Sequence, residues 1–472
     1  MDNDVQKKWR EAFGDSFDLV VAPARLLKRN GWVIYIDGMI DRALLEDGVL
    51  RPLSEGIGEL GALPMAVHSS SPLEEVADFD QAVQKVASGD VVLQADDLFW
   101  CVSLRKVEKR AVTEPPTSSV IKGPREGFGE EIAQNVSLLR RRIKDKSLVV
   151  NRYTVGKVTQ TPVAVCYVDG VASKRVVDEV TRRIQGIDID GVVDSSYIGQ
   201  LIEDNKGSIF EQYGSQEKPD IVTAKMLEGR VAVLVDGSPM ALTFPYLLVE
   251  GFQDGEDYYR KPKRTVFLRV IRVCAVLMAL LLPAAYVALQ EYHYQFFPLD
   301  FLVTLLGATA KVPFAAGLEM FVVLLLFEIL NEASVRMPKY VGMALSIVGA
   351  IVLGETAVSA GLLSSPAVLV MALSAIGLYT TPTHIGSLGI MRFVFLVAAA
   401  LLGLVGLVLS FMLFAAYTVS LNNYGADFAA PLSPAFTRDW KDALAKGKLE
   451  DMVERPYSIP TPNRRRISHD DE

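Results

Sequence analysis

The chain contains 472 residues, carries a formal net charge of -8 and has three cysteines. The negative balance argues against a general nucleic-acid-binding protein. An odd number of cysteines without a CxxC pair excludes a full disulfide framework and a structural zinc site, and it fits a reducing compartment.

Apolar residues divide the chain into two parts. Residues 1–262 mix charged and apolar side chains, whereas residues 266–417 are mostly Leu, Val, Ala, Phe and Gly. The N-terminus lacks a basic start followed by an apolar core, so we expect no cleaved secretory signal. We predict a cytosolic α/β domain of two subdomains followed by an all-α polytopic membrane domain.

The first subdomain is predicted over residues 1–109. A β-rich run at 32–36 ends in Asp37-Gly38, as a strand does when it enters a turn. A helix is predicted at 72–88, and further strands at 91–95 and 98–104. Residues 110–145 form a linker, in which a segment rich in proline and glycine precedes an amphipathic helix at 130–144.

The second subdomain is predicted over residues 146–262. Strands are expected at 162–168, 230–235 and 240–244, and helices at 173–185 and 198–204. The sequence Asp236-Gly237-Ser238-Pro239 separates the last two strands and predicts a close turn between them.

The membrane domain is predicted over residues 263–421, with four to six helical segments. Four apolar segments are long enough for a bilayer crossing of about 20 residues: 266–289, 313–333, 340–363 and 393–421. The segment at 299–310 is too short to cross comfortably and is interpreted as re-entrant or interfacial, and the segment at 366–382 is short and broken. Four crossings result if both short segments are re-entrant, and six result if both cross.

Basic residues predict the orientation of this domain. Five of them surround the start of the first apolar helix: Lys261, Lys263, Arg264, Arg269 and Arg272. The positive-inside rule therefore places this end in the cytoplasm. An even number of crossings returns the basic tail, residues 422–472, to the same side. We expect the Arg464-Arg465-Arg466 cluster of this tail to be disordered and to face lipid headgroups.

Carboxylates within apolar helices are costly and indicate a buried polar network or an ion pathway. Four lie in the apolar stretch 318–361: Glu319, Glu328, Glu332 and Glu355. We assign the first three, with Arg336, to a structural network. Glu355 has three possible states: protonated, paired with a nearby cation, or lining a cation path. Glu355, Thr356 and Ser359 are the candidate ion pathway.

A stripe of small side chains recurs every four residues in the same region and predicts close helix packing. Its members are Gly342, Ser346, Ala350 and Gly354. On the cytosolic side, Arg140, Arg141 and Arg142 predict a helix face that contacts a neighbouring subunit or lipid phosphate.

No motif predicts an enzyme. The four histidines are far apart, and no HExxH, CxxC or G-x-S-x-G motif occurs. The segment from Gly123 to Gly129 lacks the Lys-Ser/Thr ending of a phosphate-binding loop, so its glycines are interpreted as backbone turns. We expect no catalytic residues, no cofactor and no metal.

Several longer segments resemble the GerA family of spore germination proteins, which includes receptor A subunits and the related SpoVAF. They are IKGPREGFGEEIAQNVSLLRRRI at 121–143, LEGRVAVLVDGSPMAL at 227–242, EDYY at 256–259, FEILNEASVRMPKYVG at 327–342 and IVGAIVLGETAVSAGL at 347–362. They occur in order over nearly the whole chain. Two positions depart from the family pattern, Glu217-Lys218-Pro219-Asp220 and Gly425-Ala426-Asp427-Phe428, so a receptor A subunit and a SpoVAF-like subunit both stay open.

The resemblance implies a multi-pass protein of the inner spore membrane with both termini in the cytoplasm. It further implies a homo-oligomeric channel that releases monovalent cations in response to nutrients. Partners would be receptor B and C subunits or a SpoVAF partner, together with the lipid bilayer. The alternatives are a SpoVAF-like accessory channel and a non-conducting scaffold. A coupled transporter would require an internal repeat in the membrane domain, which the sequence lacks.

Overall fold

The computed structural model describes residues 2–27, 29–55, 72–105, 122–336, 349, 352–443 and 445–466. Within these ranges the chain forms two α/β units, a helical part and a C-terminal segment. The predicted fold class, an α/β domain followed by helices, is confirmed by this architecture.

The first α/β unit is a five-stranded antiparallel sheet with strand order β1-β2-β4-β5-β3. Its strands are β1 (Leu19–Leu26), β2 (Arg29–Ile36), β3 (Glu74–Val76), β4 (Val91–Ala95) and β5 (Leu98–Val102). Its helices are α1 (Asp2–Ala12), α2 (Arg42–Leu45), α3 (Arg51–Glu55) and α4 (Phe79–Ala87), with a π-helical turn at Glu46–Leu50.

Both faces of this sheet are covered, and therefore β4 is buried along its whole length. Trp9 of α1 and Val83 of α4 pack on one face, while Leu45 and Val49 pack on the other. The indole of Trp9 donates a 2.7 Å hydrogen bond to the Gln94 side chain, so its polar atom is satisfied within the core.

The second α/β unit repeats this topology, with strand order β6-β7-β9-β10-β8. Its strands are β6 (Leu148–Val155), β7 (Thr161–Val168), β8 (Gly214–Gln216), β9 (Val231–Val235) and β10 (Ala241–Phe244). Its helices are α6 (Lys174–Gln185), α7 (Ser195–Ile202) and α8 (Pro219–Leu227), and α5 (Ile132–Arg142) precedes the unit. The central strand β9 is again fully buried.

The helical part begins after a short helix, α9 (Gly255–Tyr259). Its remaining helices are α10 (Pro262–Glu291), α11 (Leu299–Thr309), α12 (Ala316–Arg336), α13 (Ala357–Ser359), α14 (Ser365–Leu378) and α15 (Ile385–Ser420). Short 3-10 turns lie at Leu248–Phe252, Tyr294–Phe296 and Pro382–His384, and a π-helical turn at Val352–Thr356 leads into α13. We call the end next to the α/β units proximal and the opposite end distal.

Contacts give the direction of each helix. Helix α10 leaves the proximal end and finishes at the distal end, where Tyr292 donates a 2.7 Å hydrogen bond to the carbonyl of Ala400. Helix α12 starts there, since the Gly317 amide donates to Glu291 at 2.7 Å. It returns to the proximal end, where Asn331 accepts from Tyr379 at 2.6 Å.

Helix α11 starts and finishes at the distal end, where the segment that follows it places Lys311 beside Gly361. This placement fits the interpretation of residues 299–310 as a segment that does not cross. Helix α14, by contrast, runs from the distal to the proximal end. It measures about 21 Å at 1.5 Å per residue, which is shorter than a typical bilayer core.

Helix α15 is a hairpin of two antiparallel arms, 385–402 and 404–420. A straight helix would separate residues thirty positions apart by about 45 Å. Yet the backbone of Ile209 accepts a 2.5 Å hydrogen bond from the Ser387 hydroxyl and donates a 3.1 Å bond to that of Tyr417. The Phe395 and Phe414 rings likewise lie 5.7 Å apart. The prediction of one crossing over 393–421 is therefore wrong.

The turn of the hairpin is Gly403, with φ 63° and ψ -144°, a conformation that only glycine adopts easily. A Cβ at this position would lie 3.0 Å from the Cβ and Cγ of Tyr292. The sequence missed the turn because residues 393–421 are apolar throughout and contain no proline or polar break. Five passages between the two ends lie in the described residues: 262–291, 316–336, 365–378, 385–402 and 404–420. Because Arg336 lies at the proximal end and Gly361 at the distal end, the chain changes ends once more between them.

Replacing Gly403 with alanine is expected to lower the free energy of unfolding by about 1–3 kcal/mol, because the turn conformation is strained for any other residue. Thermal unfolding of the detergent-purified chain measures the effect. Gly386→Ala is the matched control, since Gly386 lies in the same helix with no atom within 4 Å of an added Cβ. Equal stability of the two variants would contradict the hairpin turn.

The C-terminal segment, residues 421–466, folds back onto the second α/β unit. Tyr424 joins the core of that unit, and the Asn423 side chain donates to the carbonyls of Gln212 and Tyr246 at 2.5 and 2.9 Å. A two-stranded ribbon, β11 (Asn422–Asn423) and β12 (Ala426–Asp427), starts the segment. Apolar and polar side chains of this segment therefore both find partners on the unit.

The prediction that the Arg464-Arg465-Arg466 cluster is disordered and faces lipid headgroups is wrong for Arg464 and Arg466. Arg464 donates to the carbonyls of Pro456 and Ile459 at 2.7 and 3.1 Å and stacks over Tyr457. Arg466 lies 3.8 Å from Glu228 of the second α/β unit. Both guanidinium groups therefore hold the C-terminal segment in place.

Candidate functional site at the base of the helical part

The candidate site is the junction between the second α/β unit and the first helix of the helical part. It is built on α9, whose N-cap residue Asp254 accepts a 2.7 Å hydrogen bond from the Glu256 amide. Asp257, three residues after the cap, accepts from the Asp254 amide at 3.2 Å. This capping box fixes the carboxylate of Asp257 at the point where the chain turns into α10.

Asp257 is fully buried and binds two arginines of α10. Arg269 Nε lies 3.1 Å from Oδ2, while Arg272 donates to Oδ2 at 2.7 Å and to Oδ1 at 3.1 Å. Arg269 is itself fully buried. The two cations predict the orientation of α10 by the positive-inside rule, but the structure gives them a second task. They anchor the helix to the α/β unit through one shared carboxylate.

The C-terminal segment closes the junction from the other side. Arg269 also donates to the backbone carbonyls of Asp442 and Ala443, and the Tyr258 hydroxyl bonds the Asp442 carboxylate at 3.0 Å. Lys446 Nζ donates to the carbonyl of Asp257 at 2.7 Å. Three separated pieces of the chain therefore meet at Arg269, and none of them can shift without breaking charged hydrogen bonds.

A cavity of about 460 Å³ lies beside Asp442. Charged side chains of both signs line it, and they include Glu228, Arg438, Lys441 and Arg455. Burial, together with repulsion from Glu228, raises the pKa of the Asp442 carboxyl to about 6. The cavity gives the carboxyl a polar surrounding in which it can exchange a proton.

Asp442 is expected to make stability depend on pH. Its pKa in the folded chain, about 6, exceeds the value of about 3.9 for an unfolded aspartate. The folded chain therefore binds the extra proton, and stability falls as pH rises from about 4 to 6. Asp442→Asn is expected to flatten this part of a plot of melting temperature against pH. Asp97→Asn, at an exposed position, is the control and is expected to keep the wild-type slope. A wild-type slope in the Asn variant would contradict the assignment.

The other proximal ends are attached to the same α/β unit. The backbone of Ile209 binds both arms of α15, as described above. The His384 ring packs against Phe210, Tyr246 and Phe252 with centroid separations of 5.6, 6.2 and 6.4 Å. Four passages thus start or finish on one rigid unit, so a movement of this unit reaches the helices directly.

Inside the helical part, Arg392 forms the centre of a polar network. Its guanidinium is fully buried, pairs with Glu328 of α12 and donates to the Ser374 hydroxyl of α14 at 3.2 Å. Ser374 in turn donates to the Ala279 carbonyl of α10 at 2.6 Å. We predicted that Glu328 and Glu332 pair with Arg336 as one network. Only Glu332 does so, at 2.5 Å and on the exposed surface.

Glu319 is 1% exposed and accepts a hydrogen bond from the Ser364 amide, just before α14 begins. A carboxylate at the N-terminus of a helix is stabilised by the helix dipole. This position gives Glu319 a structural task at the distal end, where it joins α12 to α14.

The predicted ion-pathway residues lie together on the surface of the helical part. Glu355, Thr356 and Ser359 are all exposed, and Glu355 forms no ion pair with any of the described residues. Glu355 and Thr356 belong to the π-helical turn that precedes α13, a local structure that often occurs at functional sites. Of the small-residue stripe, Gly354 is exposed, while Gly342, Ser346 and Ala350 lie outside the described residues.

Glu355 lies inside the helical part, between the level of Leu330 on α12 and the distal end. Gly349, six residues before it, adjoins Leu330 of α12, and Gly361, six residues after it, adjoins Lys311 at the distal end. An exposed carboxylate at this depth is unfavourable against lipid.

The prediction that Arg140 faces a partner or lipid is wrong. Its side chain is fully buried and forms two 2.8 Å hydrogen bonds to the Asp18 carboxylate of the first α/β unit, plus one to Ser16. Arg141 and Arg142 share the carboxylate of Glu126 at 2.7 and 2.8 Å. Arg140 therefore joins α5 to the first α/β unit, while Arg141 and Arg142 bind the segment that precedes α5. The spacing of the basic run alone did not reveal these partners.

In the part of the chain that the structure describes, no three His, Cys, Asp or Glu side chains lie close enough together to hold a metal ion. The site is thus a set of ion pairs and hydrogen bonds between structural elements. Its chemistry suits mechanical coupling between the α/β units and the helices.

Comparison with known proteins identifies the family. Residues 7–458 match the family described as Bacillus/Clostridium GerA spore germination protein. The chain belongs to the GerA family. It is 35% identical over 462 residues to spore germination protein KA of Bacillus subtilis (strain 168), which covers 95% of this chain and 85% of that protein.

Two further relatives of this GerA-family chain are informative. The uncharacterized membrane protein YfkQ of Bacillus subtilis (strain 168) is 33% identical over 435 residues, covering 90% of this chain and 85% of that protein. A solved structure also matches: the crystal structure of the N-terminal domain of the A subunit of the Bacillus megaterium spore germinant receptor GerK3. Its sequence is 28% identical to this chain, and the match covers 52% of this chain and 94% of the GerK3 chain, with a TM-score of 0.41.

Family membership makes this chain a spore germination protein. Among its described residues, two segments are long and apolar enough to cross a membrane, Pro262–Glu291 and Pro382–Ser420. The second of them contains the Gly403 turn.

Sequence reasoning missed the residues that build the junction. Asp257 and Tyr258 stand in the EDYY motif that carries the resemblance, but the motif gave no partner for them. Asp442 lies 173 residues from Arg269, and no local pattern links positions so far apart.

Proposed function

We propose that this protein is a membrane subunit of a spore germination complex, in which copies of the chain form a channel for monovalent cations. Six passages return the chain to the proximal end, so both α/β units and the C-terminal segment lie on one side of the bilayer. The basic residues at the start of α10 favour the cytoplasm as that side. The family supports the inner membrane of the spore as its location.

The observation that carries the channel proposal is the exposure of Glu355, Thr356 and Ser359 within the helical part. Polar side chains at this depth require water or a neighbouring protein surface. A ring of copies that brings these faces together supplies both, and a ring of carboxylates favours cations over anions.

The partner subunits are a second element of the proposal. The GerK3 relative is described as an A subunit of a spore germinant receptor, and receptor B and C subunits or a SpoVAF partner are the partners we propose here. They would act on the α/β units, whose movement the junction transmits to α10 and α15.

Cation release from liposomes tests the proposal. The full chain, alone and with its partner subunits, is reconstituted into vesicles loaded with potassium, and efflux is followed with a potassium electrode. Glu355→Gln is expected to reduce efflux, because the ring of negative charge is lost. Asp300→Asn, at an exposed position of the distal helix α11, is the matched control and is expected to conduct like the wild type.

Two outcomes would reject the channel. Absence of efflux from every combination of subunits would leave a non-conducting scaffold. Equal efflux from wild type and Glu355→Gln would show that the cation path lies elsewhere in the complex.

A further inference from the structure

Three cations lie at the start of α10: Lys261 directly before it, and Lys263 and Arg264 in its first turn. Lys261, Lys263 and Arg264 are exposed and form no ion pair with the described residues. The next two cations of the same helix, Arg269 and Arg272, are both neutralised by Asp257. The protein therefore neutralises Arg269 and Arg272 internally, whereas the three cations at the start of α10 have no acidic partner among the described residues.

These three unpaired cations also interact unfavourably with the dipole of α10. Cations at the N-terminus oppose the helix dipole, and no acidic residue lies in the first turn of α10 to offset them. An anion supplied from outside would remove this disadvantage. The arrangement thus fits an external negative group.

The surface that follows the cations is apolar. Phe267 is 64% exposed, and Val270 and Ile271 are exposed as well. Lys263, Phe267 and Val270 stand at positions i, i+4 and i+7 and share one helix face. A strip that is cationic at its start and apolar along its next two turns matches a phospholipid, whose phosphate is followed by acyl chains.

We propose that this strip, Lys261, Lys263, Arg264, Phe267 and Val270, binds one anionic phospholipid. The proposal rests on the bilayer placement of α10 given under Proposed function. The phosphate and any further headgroup charge lie at the three cations, and an acyl chain lies along Phe267 and Val270. The lipid then contacts α10 one turn before Arg269, and it therefore stabilises the helix next to the junction.

The adjoining C-terminal segment supports this position. Lys446 Nζ donates to the Arg260 carbonyl at 3.1 Å, directly before the strip begins. Trp440 and Lys441, five or six residues earlier, are exposed. Tryptophan and lysine are typical of the headgroup level of a bilayer.

Lipid enrichment tests the proposal. The full chain is reconstituted into nanodiscs of phosphatidylcholine with a minor fraction of phosphatidylglycerol, released in mild detergent, and its bound lipids are counted by native mass spectrometry. The wild type is expected to retain phosphatidylglycerol selectively. The triple variant Lys261→Gln, Lys263→Gln, Arg264→Gln is expected to lose selectivity by about fivefold for each cation removed.

The control variant removes the same charge from the exposed surface of the α/β units: Lys144→Gln, Lys146→Gln, Lys174→Gln. It is expected to keep the wild-type selectivity, and equal losses in the two variants would overturn the proposal. A second variant, Phe267→Ser, keeps all charges and is expected to weaken binding of the phospholipid but not of inorganic phosphate. If inorganic phosphate displaces the lipid fully at equal concentration, the site is one for free anions and the lipid proposal fails.

Failure of the membrane placement would look different. Each variant is first floated with neutral phosphatidylcholine vesicles. A wild type that does not float contradicts the proposed membrane subunit, whereas a floating wild type without phosphatidylglycerol selectivity contradicts the lipid site alone.

Discussion

Asp257→Ala is expected to destabilise the protein by about 3–5 kcal/mol, the cost of removing one partner from a buried ion pair. The substitution leaves the buried Arg269 with one carboxylate contact, to Asp442 at 3.5 Å, and leaves Arg272 with a single backbone carbonyl, that of Phe252 at 3.1 Å. Chemical denaturation of the detergent-purified chain measures the loss. Helix α10 is also expected to detach from the α/β unit, which increases proteolysis between them.

Asp254→Ala is the matched control for this change. It removes the N-cap of the same short helix and is expected to cost about 1 kcal/mol. The double variant Asp257→Ala, Arg269→Met is expected to recover part of the stability, because the unpaired buried cation is gone. A cost for Asp257→Ala no larger than that of Asp254→Ala would contradict the central position of Asp257 in the junction.

Glu328→Ala has the second largest expected effect, about 3 kcal/mol, the lower end of the range for a broken buried pair. The reason is the position of Arg392, whose guanidinium is fully buried between α12, α14 and α15. Glu328 is itself partly exposed, which moderates the loss. The measurement is the melting temperature in detergent and in nanodiscs.

Glu332→Ala, one helical turn away, separates the effect of burial from that of charge. Its pair with Arg336 is exposed, so the expected loss is only about 0.3–0.5 kcal/mol. Combining Glu328→Ala with Arg392→Leu is expected to restore most of the stability. Equal losses for Glu328→Ala and Glu332→Ala would show that Arg392 finds another partner.

The secondary structure of the α/β units followed closely from sequence patterns. The strand predicted at 91–95 matches β4 residue for residue, and the helix predicted at 173–185 matches α6 within one residue. Strong β-propensity between Gly and Asp turns, and cationic residues in the last helical turn, are local signals. The helix predicted at 72–88 was too long, because Glu74–Val76 pairs with β5 as an edge strand, and only the tertiary fold supplies that partner.

Long-range pairing explains the remaining errors. Arg140 looked like a surface cation because two further arginines follow it, yet its partner Asp18 lies 122 residues away. The α15 hairpin escaped notice because an apolar helix can continue through any glycine. The candidate ion pathway, by contrast, could be proposed from the sequence, because Glu355 is a charged residue in an apolar segment. What the sequence could not indicate was that its side chain is exposed.

The C-terminal segment gives the fold an order of assembly. Tyr424 belongs to the core of the second α/β unit, and Phe428 fills a cluster with Phe210 and Tyr246. These residues emerge from the ribosome about two hundred positions after the strands that they complete. The unit can finish folding only when the last arm has returned to the side on which it started. With the membrane placement that we propose, correct insertion of the helical passages is thereby a condition for completing the core of this unit, and a chain inserted with one passage missing would expose an unfinished sheet to cellular quality control.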